Sequence, residues 1–121
     1  MKELFYVSIG GGIGSAIRYI VSLLWKHSIH VSILPWQTLI VNIVGCFLIG
    51  LFYQYSEKWG LTPEIRLLLT TGFCGGLTTF STFSYEGIEM LRNGFIAYYA
   101  LYVVLSIVIG LLALWLAIKL A

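Results

Sequence analysis

Charged residues are scarce in this sequence. Only 10% of its 121 residues are Asp, Glu, Lys or Arg, and Asp does not occur at all. Soluble domains average about 25% charged residues, so the composition excludes an ordinary soluble domain. Instead, 60% of the residues are hydrophobic and the mean hydropathy is +0.95. These values are typical of an integral membrane protein.

The pattern of the few charges excludes two functional classes. Lys and Arg are spread singly along the chain, whereas nucleic-acid binding needs a basic cluster. The serines of the apolar segments have no general base at membrane depth, so a nucleophile, a base and an orienting group cannot be assembled. We therefore predict that the protein is not an enzyme and has no nucleic-acid partner.

Cysteine is equally scarce. Cys46 and Cys74 both fall within apolar segments, and one such pair is not a disulfide framework. Both thiols are predicted to act as small apolar packing groups.

The apolar segments predict an all-α integral membrane fold. A bilayer crossing takes about 20 mostly apolar residues, so the length allows four spans and no separate soluble domain. We place them in one domain, residues 1–121, at about 4–25, 34–55, 63–91 and 95–120. Thr62 and Pro63 are typical of a helix start, and the spacing of Gly10 and Gly14 predicts a close helix–helix contact.

The third span contains a stretch that is unfavourable for a helix, from Gly72 to Ser84. It combines the pair Gly75-Gly76 with adjacent threonines and five hydroxyl side chains between Thr78 and Ser84. We predict a helix break near residues 75–79. An opened backbone in hydrocarbon is tolerated only where protein or a wet cavity satisfies it, so the break indicates an ion or substrate path.

The break offers groups for ions of both signs. Freed backbone carbonyls near Gly75 and Thr78 are able to hold a monovalent cation. Phe80 and Phe83 share one helix face, and the positive edges of their rings attract a small anion weakly. Ordinary aromatic packing is the alternative for this pair. Asn42, deep in the second span, is either an amide donor to an anion or an interhelical hydrogen-bonding residue.

The basic residues are almost balanced across the membrane. With four spans, four of them lie on one side and three on the other, which is too small a bias to fix the orientation. They are Lys2, Lys58, Arg66 and Lys119 against Arg18, Lys26 and Arg92. We expect the chain to insert both ways and to form an antiparallel homodimer about a two-fold axis in the membrane plane.

Three motifs carry a resemblance that covers essentially the whole chain. They are Gly11-Gly12-Ile13-Gly14 with Arg18-Tyr19, Asn42-Ile43-Val44-Gly45-Cys46, and the stretch from Gly72 to Ser84. In these motifs the sequence resembles the small four-helix fluoride channels called Fluc or CrcB.

The resemblance implies an architecture and a function. The fold would be a dual-topology antiparallel homodimer with two fluoride pathways and a central structural Na⁺, held by the backbone carbonyls of Gly75 and Thr78. The function would be passive, fluoride-selective export of cytoplasmic fluoride, which protects against fluoride toxicity. The protein would lie in the cell membrane, and in the inner membrane of a Gram-negative cell.

The resemblance also implies roles for individual residues. Phe80 and Phe83 would present the ring edges of the fluoride pathway, with Asn42 as a donor beside them. Further polar lining would come from Thr38, Ser81, Thr82, Tyr102 and Ser106, and the vestibules from Arg18 and Glu86. The sequence departs from the family pattern at Gly110, where a serine is expected.

A proton-coupled small-molecule exporter is the alternative function. Such transporters usually place an acidic residue in mid-membrane, and the first two predicted spans contain none. Glu86, near the end of the third span, is the candidate that this alternative requires.

Overall fold

The computed structural model describes residues 1–28 and 34–121, and its regular secondary structure is helical. In chain order the elements are α1 (Lys2–Ser28), α2 (Trp36–Lys58), α3 (Pro63–Leu67), a π-helical segment (Leu68–Cys74), α4 (Gly75–Leu77), α5 (Phe80–Arg92) and α6 (Ile96–Leu120). The predicted all-α class is confirmed.

Three helices in the described part of the chain are long and apolar enough to cross a membrane. They are α1 as far as Lys26, α2 and α6. Their ends lie within three residues of the first, second and fourth predicted spans. The region of the third predicted span is two helical pieces, 63–77 and 80–92, separated by two extended residues.

The first piece of this region begins at the predicted cap. Thr62 is extended, its Oγ1 accepts a hydrogen bond from the Ile65 N–H at 3.3 Å, and Pro63 occupies the first helical position. Proline fits there because the first helical N–H has no acceptor within the helix. The sequence signal for this helix start is therefore confirmed.

The π-helical segment is a feature that the sequence pattern did not predict. Its wider turn follows Arg66, whose carbonyl accepts a hydrogen bond from the Thr70 hydroxyl at 2.7 Å. The segment lies against α1, where Gly72 is so close that an added Cβ would meet the Gly10 Cα at 3.1 Å. Segments of this kind are frequent at functional sites and depend on tertiary context.

Glycines bring α1 into backbone contact with the region 63–77. A Cβ on Gly10 would meet the Phe73 nitrogen at 2.9 Å, and a Cβ on Gly14 would meet the Leu77 nitrogen at 2.8 Å. The close contact predicted from the spacing of these two glycines is confirmed.

The second helical piece in the region of the third predicted span, 80–92, packs mainly on α6. Helix α5 lies against α6 and α2, where buried residues form a cluster that includes Leu39, Met90 and Tyr102, with Phe83 packed against it. The piece 63–77 thus packs mainly on α1 and the piece 80–92 mainly on α6, and both pieces also contact α2. Each half has its own support on either side of the break.

We predict that Gly14→Ala destabilises the fold, because a methyl group at this position meets backbone atoms of α4. Overpacking of this kind costs about 1–3 kcal/mol, so the thermal unfolding midpoint in detergent should fall by several degrees. Gly12→Ala is the matched control, since a Cβ at Gly12 meets no atom within 4 Å. Equal midpoints for the two variants would contradict the packing described here.

Candidate functional site

The break consists of Thr78 and Thr79, which have extended backbones with φ/ψ of −86°/158° and −152°/122°. Gly75 is still helical, with φ/ψ of −64°/−36°, and Gly76 lies within α4. The break is therefore narrower than the predicted region of residues 75–79. Close contact with α1 constrains Gly76, because a Cβ there would meet the Gly11 Cα at 3.0 Å, whereas a Cβ on Gly75 would meet no atom within 4 Å.

Hydroxyl groups restart the helix after the break. The Thr79 Oγ1 accepts a hydrogen bond from the Thr82 N–H at 3.2 Å, which makes Thr79 the N-cap of α5. The hydroxyls of Thr79 and Ser81 are also 3.2 Å apart and hydrogen-bonded. Part of the hydroxyl cluster thus has a capping role that is independent of any ligand.

Asn42 of α2 satisfies the backbone of the extended residue Thr79. Its Oδ1 accepts a hydrogen bond from the Thr79 N–H at 2.8 Å, and its Nδ2 donates to the Thr79 carbonyl at 3.2 Å. The interhelical alternative for Asn42 is the one present in this structure. Because Nδ2 carries two protons, a second N–H is left beyond the bond to Thr79, and its role as an anion donor stays a prediction.

These bonds release two backbone carbonyls. In a continuous helix the Thr79 N–H would donate to the Gly75 carbonyl, and the Thr82 N–H to the Thr78 carbonyl. Here the first N–H donates to Asn42 and the second to the Thr79 hydroxyl. The carbonyls of Gly75 and Thr78 have therefore lost their helical donors, and they are the two oxygens predicted to hold a cation.

A third carbonyl at the end of α4 is held by α1. The Gly76 oxygen accepts a hydrogen bond from the Arg18 Nε–H at 3.1 Å and a longer one from the Ser15 hydroxyl at 3.5 Å. The sequence placed Arg18 in a vestibule and assigned nothing to Ser15 or Gly76. The sequence signal that could have indicated this shared contact is the i, i+3 spacing of Ser15 and Arg18, which puts both residues on one face of α1.

A cavity of about 410 Å³ lies beside the break. Residues from α2, the break, α5 and α6 line it, among them Asn42, Cys46, Cys74, Gly75, Thr78, Phe80, Phe83 and Ser106. The structure thus brings together the predicted cation carbonyls, the predicted ring pair and two of the predicted polar residues. The two cysteines are lining residues that the sequence assigned to packing.

The two phenylalanine rings differ in their surroundings. Their centroids are 5.9 Å apart with planes at 36°, a tilted arrangement. Phe83 packs on Tyr102, with ring centroids 4.9 Å apart, so the packing alternative accounts for part of its contacts. The Phe80 side chain is 79% exposed and lines the large cavity, so packing within one chain does not account for its position.

Ser106 provides a buried hydroxyl on the same cavity. Its Oγ is inaccessible to solvent and has no hydrogen-bond partner among residues 1–28 and 34–121. Buried hydroxyl groups in proteins are nearly always paired. The cavity therefore holds a polar atom whose hydrogen bonding the described residues leave incomplete.

A second cavity, of about 190 Å³, lies on the other side of Thr79. Its lining includes Arg18, Tyr19, Ser22, Gln37, Thr38, Thr82 and Glu86. Arg18 and Glu86, the predicted vestibule residues, thus share one cavity. Tyr19, Ser22 and Gln37 were not among the predicted site residues, although Ser22 follows Arg18 by four positions on the same face of α1.

Two predicted lining residues remain, Tyr102, which contacts Glu86 of the small cavity, and Ser81, which does not line either cavity. The Tyr102 hydroxyl, on a fully buried side chain, donates to the Glu86 Oε1 at 3.3 Å. Ser81 is exposed and lines neither of these two cavities. Its place in an ion pathway stays a prediction.

Comparison with known proteins decides the family. The family described as CrcB-like protein, Camphor Resistance (CrcB), matches residues 5–118. The chain belongs to the CrcB family. The resemblance seen in the sequence motifs is thereby confirmed.

Three relatives of this CrcB-family chain carry the name fluoride-specific ion channel FluC. The Bacteroides fragilis protein is 46% identical, over 93% of this chain and 91% of its own length. The Flavobacterium psychrophilum protein is 44% identical, over 95% and 93%. The Chlorobium phaeobacteroides protein is 47% identical, over 98% and 91%.

We predict that Asn42→Leu loosens the break in this CrcB-family protein, because it leaves the N–H and the carbonyl of Thr79 without their present partners. Each buried unpaired group costs about 1–3 kcal/mol. The thermal unfolding midpoint should fall, and the amides near Thr79 should exchange hydrogen faster. Gln54→Leu removes an exposed amide from the same helix and should change neither quantity. The same response from both variants would contradict the assignment.

Proposed function

We propose that this chain forms a passive fluoride-selective ion channel that releases fluoride from the cytoplasm. The observation that carries the proposal is the large cavity at the break, which joins an exposed Phe80 ring, the Phe83 ring 5.9 Å away and the buried Ser106 hydroxyl, which has no partner in the described part of the chain. Ring edges and hydroxyls attract a small anion without the tight binding of a lysine. The three relatives named as fluoride-specific channels support the choice of anion.

The proposal assigns four spans to each chain, and the helices described above support it. Helices α1, α2 and α6 cross the bilayer, and the pieces 63–77 and 80–92 form a broken third span between them. Residues Thr78 and Thr79 then lie at membrane depth, where backbone groups must be satisfied by protein, water or ions. The protein is a multi-pass protein of the cell membrane, and of the inner membrane in a Gram-negative cell.

The functional unit in this proposal is an antiparallel homodimer. The near balance of basic residues supports insertion in both orientations. Phe80, with 79% of its side chain exposed, has a position suited to contact with a second copy. A two-fold axis in the membrane plane through the break would place two copies of the large cavity side by side and so produce two pathways.

A central Na⁺ fits the same geometry. The carbonyls of Gly75 and Thr78 have lost their helical donors, and both residues line the large cavity. Two oxygens fill only part of the coordination shell of a monovalent cation, and a second copy would contribute two more. When bound, the ion would neutralise the carbonyl dipoles that meet at the dimer axis and so join the two breaks.

The pathway would begin at the small cavity, where Arg18 supplies positive charge. Thr38 and Thr82 provide hydroxyls along its wall. Asn42, whose second N–H is the proposed donor, lines the large cavity together with the ring pair. Beyond the rings, Ser106, Tyr102 and Ser81 are the proposed further donors. Because a channel must release its ion, a path of weak neutral donors suits conduction.

Such a channel would protect a cell from fluoride. Hydrogen fluoride crosses membranes as a neutral molecule, dissociates in the more alkaline cytoplasm and leaves the anion trapped. Selectivity against chloride is required because an unselective anion leak would depolarise the membrane.

A proton-coupled exporter is the second candidate, and one observation favours it. Glu86 lines the small cavity and accepts a hydrogen bond from the buried Tyr102, which is a suitable place for a proton-binding carboxylate. The names of the relatives favour the channel.

We predict rapid fluoride efflux, and no chloride efflux, from liposomes that contain the purified protein and a potassium ionophore. Phe80→Ile should slow fluoride efflux by up to about tenfold, since a ring interaction of at most roughly 1.5 kcal/mol corresponds to this factor. Phe95→Ile, at the cap of α6 and outside both cavities, should retain efflux. Ion-selective electrodes measure both anions.

The exporter makes a different prediction for the same liposomes. Fluoride that stays trapped until a pH gradient is imposed, and a loss of this transport in Glu86→Gln, would contradict the passive channel. Equal effects of the two phenylalanine substitutions would remove the ring pair from the pathway.

A further inference from the structure

We propose that Arg18 is a positioning residue that fixes the end of α4, and with it the carbonyl oxygens at the break. This role is separate from the attraction of anions by its charge. The inference deepens the proposed function, and only its cation-dependent part rests on the proposed Na⁺ site.

The bond between Arg18 and Gly76 replaces a missing helical bond. In a continuous helix the Gly76 carbonyl would accept from the Phe80 N–H, but Phe80 belongs to α5, beyond the two extended residues. The Arg18 Nε–H donates to this carbonyl at 3.1 Å. A bond from a charged donor is stronger than a neutral one, and the Ser15 hydroxyl at 3.5 Å is too long to substitute for it.

Helix α1 holds Gly76 at a second point. A Cβ on Gly76 would meet the Gly11 carbonyl carbon and Cα, each at 3.0 Å. Gly11 and Arg18 are seven residues apart, so they lie two turns apart on one face of α1. Backbone contact at Gly11 therefore fixes the position of α4, and the Arg18 bond fixes the direction of its Gly76 carbonyl.

This restraint decides which oxygens remain available. The carbonyls of successive residues in a helix point in directions set by one rotation of the backbone. When Arg18 holds the Gly76 oxygen towards α1, the Gly75 oxygen one residue earlier is also fixed in direction. The Leu77 carbonyl loses its helical donor, the Ser81 N–H, in the same way, so four carbonyls in all, 75–78, lose such donors at the break. Arg18 occupies one of them and leaves those of Gly75 and Thr78 among the ones available to the cation.

Arginine suits this position because its guanidinium has donors for two tasks. The Nε–H is used on Gly76, and the Nη groups carry four further N–H donors. Arg18 also lines the small cavity with Thr82 and Glu86, so its charge serves the vestibule at the same time. A lysine ammonium is a single point charge and has no donor at the position of Nε.

Two substitutions separate the roles of the donor and the charge. In Arg18→Gln the side-chain Nε2 is the same number of bonds from Cα as the arginine Nε, so the donor to Gly76 is kept and the charge is removed. In Arg18→Lys a carbon takes this position, so the charge is kept and the donor is removed. Arg18→Met removes both. Arg92→Lys is the matched control, since its guanidinium bonds Glu89 on the same helix.

The first readout is hydrogen exchange of the backbone at residues 76–82 in the purified, detergent-solubilised protein. We expect exchange at least about tenfold faster in Arg18→Lys and Arg18→Met, the factor that loss of one charged hydrogen bond implies. Arg18→Gln and Arg92→Lys should exchange like the parent. Rapid exchange in Arg18→Gln together with parental exchange in Arg18→Lys would overturn the proposal.

The second readout is the thermal unfolding midpoint in Na⁺ compared with N-methylglucamine. We expect Na⁺ to raise the midpoint of the parent and of Arg18→Gln, and to have little effect on Arg18→Lys. Fluoride efflux should fall in Arg18→Gln through loss of charge alone. An absent Na⁺ effect in the parent would refute the proposed cation site, and hydrogen exchange would still decide the role of Arg18. If Arg18→Met does not fold, the comparison of Gln with Lys remains sufficient.

Discussion

Unpaired backbone groups are costly in hydrocarbon, and this chain interrupts a helix in a segment that we propose to cross the membrane. The structure meets the cost with side chains from two other helices. Asn42 of α2 pairs both backbone groups of Thr79, and Arg18 of α1 pairs the carbonyl of Gly76. The carbonyls of Gly75 and Thr78 are among those released, because the N–H groups that would pair them in a continuous helix donate to Asn42 and to the Thr79 hydroxyl.

The two halves pack mainly on different helices, α1 and α6, and both contact α2, which gives the break a defined geometry. Close glycine contacts hold 63–77 on α1, whereas apolar side chains hold 80–92 on α6 and α2. The cavities beside Thr79 lie where these two packing regions meet. The large cavity has a mostly apolar lining and includes the exposed Phe80 ring. The small cavity is lined by Arg18 and Glu86. The division separates a cavity that contains charged side chains from one lined by the ring pair and neutral groups.

Much of the candidate site could be predicted because its residues are concentrated in one short stretch. The hydroxyl-rich segment signals a break through helix propensity, and Phe80 and Phe83 fall on one face by their spacing. The bonds of Asn42 and Arg18 could not be predicted in the same way. Their partners are 37 and 58 residues away in the chain, and local patterns do not report which distant backbone group a side chain will reach.

The sequence by itself determined the membrane class, the three helices long and apolar enough to cross a membrane, the family and the position of the break to within a few residues. These depend on composition, on local propensity and on motifs that can be read along the chain. Only the tertiary structure decided that Gly75 and Gly76 remain helical, that residues 68–74 widen into a π-helix, and which carbonyls are released. The physical reason is that Gly76 and the π-helical segment are in close contact with α1, and that Asn42 of α2 pairs the backbone of Thr79. Local sequence patterns do not report contacts with distant helices.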